Sequence, residues 1–166
     1  MKKVLLFAAF AVFAFTASSA QGQFRAGINA GLPIGDAGDF YSFNVGLDIS
    51  MLWEVAESFE AGVASGYSHS FGDEIDLGAF GTIDVEDAQY IPIAAAARYM
   101  LSEQFSLGAD IGYALGIGDG VDGGFYYRPR VAYGVGENTD IIFSYTGVSD
   151  DGFTFNTINL GVDFGL

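Results

Sequence analysis

Residues 41–53 read Tyr41-Ser42-Phe43-Asn44-Val45-Gly46-Leu47-Asp48-Ile49-Ser50-Met51-Leu52-Trp53. Every odd position is large and apolar, and every even position through Ser50 is small or polar. Successive side chains on a strand point to opposite faces, so this period of two predicts a strand with one greasy and one polar side. The alternation recurs over 24–32, 59–71, 90–101, 105–117, 125–135, 140–148 and 154–166, making eight strands in all. A tilted strand needs about nine to eleven residues to cross a bilayer. Each stretch meets that length, 140–148 barely, and in it Ile142 falls out of phase. Within 90–101, Pro92 cannot donate to a ladder and the run Ala94 to Ala97 favours helix, yet the flanking residues keep the period.

A soluble β-sandwich also alternates, but its polar face meets water and carries many Lys, Glu and Thr residues. Here that face carries Gly, Ala, Ser and Asn with few charges. Small residues suit the crowded interior of a narrow barrel. The apolar face carries aromatics near the strand ends. Phe24, Trp53, Phe59, Tyr99 and Phe105 lie toward one end; Tyr41, Phe71, Tyr113, Phe125 and Tyr127 lie toward the other. Two such belts are what the two membrane interfaces favour. The connections at 54–58, 102–104 and 136–139 are short; those centred on Asp36, Asp76, Gly120 and Asp151 are longer, 72–87 most of all. Short turns belong at the periplasmic rim and long ones outside. The predicted fold is all-β, an eight-stranded antiparallel up-and-down transmembrane β-barrel, one domain over 21–166, with both termini on the same side.

Ahead of it, Lys2 and Lys3 precede an apolar run, Val4 to Phe15, and then small residues, Thr16-Ala17-Ser18-Ser19-Ala20. That layout predicts a secretory signal peptide over 1–20, cleaved after Ala20. Its apolar run falls short of the roughly 20 residues of a spanning helix. There is no cysteine, hence no disulfide framework or thiolate metal site. Without Lys2 and Lys3 the chain has 4 basic against 21 acidic residues, a formal −17 that excludes nucleic acid as a partner. Many acids gather in connections, as in Asp36 to Asp39, Asp73-Glu74 and Asp150-Asp151, where they read as solvated loops.

The remaining basic residues are Arg25, Arg98, Arg128 and Arg130, all on the polar phase. The acids Asp48, Glu60, Asp110 and Asp163 share that phase. An arginine facing mid-bilayer lipid would cost about 2 to 4 kcal/mol. Inside, a guanidinium can hold a carboxylate through two parallel hydrogen bonds. An internal ionic network that plugs the lumen is therefore expected; the alternative is a narrow pathway for ions or small solutes. The single histidine, His69, lies near the outer rim on the lipid-facing phase. It raises a second alternative, a rim lipid hydrolase using Ser68 or Ser70, though both serines point to the opposite face from His69. No phosphate loop, metal-ligand spacing or Gly-x-Ser-x-Gly is present, so no cofactor and no enzyme activity is expected.

The last strand, with Leu160, Val162, Phe164 and Leu166 on one face, resembles the C-terminal assembly signal of bacterial outer-membrane barrels. Tyr90-Ile91-Pro92-Ile93 with Arg98-Tyr99, and Gly124-Phe125-Tyr126-Tyr127-Arg128-Pro129, are similar to the fourth and sixth strands of small porin-family barrels common in Bacteroidetes. The resemblance implies a Gram-negative outer membrane and contact with its lipid and lipopolysaccharide. It also implies delivery by periplasmic chaperones and the barrel-assembly machinery, a monomer, and a structural or surface-interaction role.

Overall fold

The computed structural model describes residues 22–76, 81–118, 121–150 and 152–166; the expected signal segment and the tip at Asp119-Gly120 lie outside them. Alternation becomes long strands here because each greasy side can face hydrocarbon while each polar side lines the lumen. In order they are β1 (Gln23–Ile34), β2 (Tyr41–Ala56), β3 (Phe59–Gly72), β4 (Glu74–Asp76), β5 (Thr82–Asp84), β6 (Ala88–Met100), β7 (Phe105–Ile117), β8 (Gly124–Gly134), β9 (Thr139–Asp150) and β10 (Phe153–Gly165). Eight of them close into one ring in the order β1-β2-β3-β6-β7-β8-β9-β10, with β10 pairing antiparallel to β1 from Arg25↔Gly165 to Ile34↔Asn156. Closure leaves no open edge, the condition for strands in lipid. No helix among the described residues is long and apolar enough to cross a membrane.

The strand edges fall within a few residues of the sequence expectation, and β7 falls on it. Other expectations are corrected. β4 and β5, unforeseen, form a separate two-stranded sheet within the longest connection. The connection after β1 holds a short 3-10 turn, Gly35–Asp39, whose Ala37 is fully buried. The connection after β9 is not long: β9 and β10 pair up to Asp150↔Phe153, and Gly152 takes the φ of +98° that a side chain would disfavour.

Tyr41 leaves the expected outer belt. The β2–β3 register slips between Tyr41 and Phe43, so Ser42 is extra and Tyr41 turns inward. Its ring packs edge-on to Phe155, centroids 4.9 Å apart, and Phe155 meets Tyr90 at 5.5 Å. With Ala37, Ala88, Ala114, Tyr126 and Val148 these residues form an apolar cluster. It fills the outer part of the lumen, where the alternation had predicted only small and polar groups. Ile142 is explained as well: it keeps step with inward Ser144, pairs with Ala132 and is buried in the lumen.

The prolines sit where the ladder can spare a donor. The β3–β6 register lacks pairs between Ser65↔Ile93 and Ser68↔Tyr90, the stretch opposite Pro92. There the Ser65 hydroxyl donates to the Pro92 carbonyl at 2.8 Å. The β8–β9 register likewise skips from Tyr127↔Gly147 to Arg130↔Ser144, past Pro129. Large apolar side chains stand exposed all round the outside, Ile28, Leu47, Ile93, Ile111, Phe143 and Leu160 among them. In water this would be an untenable patch; against acyl chains it costs nothing.

Candidate functional site: the charged interior and the outer rim

All four arginines point into the lumen, and each meets an aspartate. Arg128 holds Asp48 by a fork, Nη1 to Oδ1 at 2.6 Å and Nη2 to Oδ2 at 2.9 Å, reaching from β8 to β2. Asn29 donates to the same carboxylate at 2.7 Å, and Arg128 Nε donates to Ser144 Oγ at 3.1 Å. Arg98 Nη1 donates to Asp110 Oδ1 at 2.6 Å and to the Ala97 carbonyl at 2.8 Å. Arg130 pairs with Asp163, and Arg25 pairs with Asp140. The pairs Arg98–Asp110 and Arg130–Asp163 are almost wholly buried.

The strands set this up. On β8, Arg128 and Arg130 are two apart and share the inward phase. Arg98 and Arg130 flank Gly108 in one row of the sheet. A Cβ at Gly108 would stand 2.5 Å from Arg98 Cδ, so only glycine leaves room for the arginine stem to fold across toward Asp110. Arg98 Nη2 and Arg130 Nε find no partner among the described residues. The gap left among these side chains is a cavity of about 10 Å³, room for a single water.

Of the interior residues expected from sequence, Glu60 stands apart. It is buried and lies opposite Arg98 in the β3–β6 register, but no ion pair forms with it among the described residues. Asp140, the first residue of the expected strand 140–148, joins the interior set unforeseen; its place on the inward phase of β9, two residues from Ile142, is the signal that marks it. Leu160, Phe164 and Leu166 face outward, Val162 is half-buried beside them, and β10, which ends one residue before Leu166, is the strand that seals the ring.

His69 sits on the outward face of β3. Its Nε2 lies 2.9 Å from Asp87 Oδ2 and its Nδ1 lies 3.1 Å from the Tyr67 hydroxyl. Asp87 is the last residue of the longest connection, and the pairing of β6 with β3 brings it back beside His69, a closeness that sequence separation hides. Its other oxygen accepts the Gly72 N–H at 2.9 Å. That backbone hydrogen bond, followed by the contact with His69, holds the Asp87 carboxyl below its ordinary value. Ser68 and Ser70 are on the opposite face, where both accept from Asn44 Nδ2 at 2.8 Å. His69 therefore has an orienting acid but no serine to activate. Among the described residues no group of three or more ionisable side chains is placed to hold a metal ion.

Solved structures share this architecture. The Yersinia pestis outer membrane protein Ail in a phospholipid nanodisc matches with a TM-score of 0.60 at 19% identity, covering 88% of this chain and 100% of that one. A designed transmembrane β-barrel matches with a TM-score of 0.56 at 11% identity, covering 89% and 99%. The N-terminal barrel domain of Pseudomonas aeruginosa OprF matches with a TM-score of 0.51 at 15% identity, covering 88% and 100%. At these identities the likeness is one of fold. A comparison with curated proteins finds no match. The family model described as "Outer membrane protein beta-barrel domain" matches residues 4–165, nearly the whole chain. A closed ring of eight strands, greasy outside and charged within, is thus joined to a sequence match of that extent, and the chain belongs to the outer membrane protein β-barrel domain family.

Proposed function

We propose that the protein is a non-conducting, non-enzymatic surface barrel of the Gram-negative outer membrane, its lumen plugged by arginine–carboxylate pairs. The observation that carries this reading is the charged layer itself: Arg25, Arg98, Arg128 and Arg130 each spend their charge on an aspartate inside the ring. Above it the apolar cluster around Phe155 and Tyr90 stops the outer mouth. A channel needs a continuous wet path, and eight strands enclose barely enough space for side chains. Planar-bilayer recording tests the plug: purified protein should give no steady single-channel steps, and reproducible open-channel conductance would establish the narrow-channel alternative instead. The lipid-hydrolase alternative is disfavoured by the inward turn of Ser68 and Ser70, away from His69.

Residues 1–20 serve as the signal that sends the chain across the inner membrane and are removed after Ala20. Chaperones and the barrel-assembly machinery recognise β10 through Leu160, Val162, Phe164 and Leu166. The folded monomer then contacts outer-membrane lipid and lipopolysaccharide, and its acidic outer connections meet whatever the surface meets. The partner chemistry differs from that of one structural relative. Ail of Yersinia pestis has been crystallised with the heparin analogue sucrose octasulfate. Beyond residue 3 this chain has no lysine, and its arginines are turned inward, so its outer face offers a polyanion no lysine or arginine to pair with.

A further inference from the structure

The side chains around His69 form a chain with a fixed supply of protons. Asp87, on the connection between β5 and β6, accepts at both ends, from the Gly72 N–H and from His69 Nε2. On the other side of the ring, Nδ1 meets the Tyr67 hydroxyl, and that hydroxyl donates to Gln89 Oε1 at 2.9 Å. A carboxylate can only accept, so Nε2 carries a hydrogen. The Tyr67 hydrogen is committed to Gln89, so its oxygen accepts from Nδ1. With Gln89 presenting its oxygen, every partner is satisfied when the ring donates from both nitrogens, as a charged imidazole does. A neutral ring demands a different one: Tyr67 turns its hydrogen to Nδ1, and Gln89 keeps contact only by presenting its amide NH₂.

We propose that Tyr67, His69, Asp87 and Gln89 form a proton-sensitive clasp at the base of the long outer connection, tying its far root to β3 more firmly when the imidazole is charged. The clasp is well placed for this. The connection between Gly72 and Asp87 carries the β4–β5 hairpin, and its two roots meet at the Asp87 carboxylate. Phe71 packs against the imidazole with ring centroids 4.5 Å apart. From β2 the residue in register with His69 is Val45, uncharged; from β6 it is Gln89; Asp87 is the acid that reaches the ring. The depressed Asp87 carboxyl keeps its charge on mild acidification. The contribution of Asp87 is complete above the ordinary carboxylate range and is lost as pH falls through its lowered value.

The test uses the full barrel in phospholipid nanodiscs. Hydrogen-exchange protection factors of the Gly72, Val85 and Thr82 amides are compared at about pH 8 and about pH 5.5, an interval over which histidine side chains in general can change charge. A partly exposed pair supports a rise of about two- to fivefold on acidification. His69→Gln can still donate an amide hydrogen to Asp87 without titrating and should show no rise. Asp87→Asn, with no carboxylate to pair, should also lose it. Heat-modifiable gel mobility establishes that each variant has closed its barrel. An equal rise in His69→Gln, or none in the natural protein, overturns the clasp.

Discussion

Asp110 is 2% exposed and is the one carboxylate bonded to Arg98, itself 6% exposed. Removing one partner of such a pair leaves a charge stranded, at a cost of about 3–5 kcal/mol. Asp110→Ala should therefore lower barrel stability by about that amount in equilibrium urea unfolding from detergent micelles. Adding Arg98→Met should recover most of the loss, because the pair's own net contribution is small once desolvation is counted. A double variant as unstable as the single would show that Arg98 itself, through the Ala97 and Ala109 carbonyls it also reaches, holds the strands together. The inward aim of the arginines was legible as parity along their strands. Their choice of partner was not. Arg128 crosses the lumen to Asp48, 80 residues away, and Arg25 selects Asp140, 115 residues away, while Glu60 opposite Arg98 goes without. Parity fixes a face; it carries no information about which of several acids on that face a long flexible guanidinium will reach.

A strand in lipid must find a partner for every backbone polar group, and Pro92 breaks that rule on one side of β6. Ser65 repairs half of the break by donating its hydroxyl to the Pro92 carbonyl at 2.8 Å. Ser65→Ala should leave that carbonyl without its partner and cost about 1–3 kcal/mol in the same unfolding assay, although a serine facing lipid would otherwise be better replaced. No loss on substitution would mean that the Pro92 carbonyl does not depend on this donor. The elements themselves were readable because a strand with two different solvents on its two faces writes the period of two in full; β7 is the plainest case. What escaped was local. The extra residue at Ser42 reverses the phase for Tyr41 alone, and nothing in an otherwise regular run marks where a bulge will fall. The β4–β5 pair is three residues a side and the 3-10 turn is five residues long, too short for any periodicity to register.

Charge is sorted by location over the whole molecule. The arginines lie in the lumen, and acids such as Asp36, Asp73, Glu74 and Asp84 occupy the outer connections. Beyond Lys2 and Lys3 the chain carries a formal −17, so the surface field should repel polyanions at physiological ionic strength, where charges still act over about 8 Å. The folded protein should therefore pass unretained over immobilised heparin, and retention that is lost on adding salt would contradict the sorting. One contact links this arrangement to how the ring is made. Arg128 on β8 and Asp48 on β2 stand on strands far apart in the ring order and meet only across its hollow centre. A half-zipped ribbon in hydrocarbon holds that plus and that minus out of reach of each other, each without water. Such an intermediate is heavily penalised, so the last seam, β10 to β1, and the central girder form together. Assembly in the bilayer is then all-or-none, and a protein stalled part-way has no shallow resting place in the membrane.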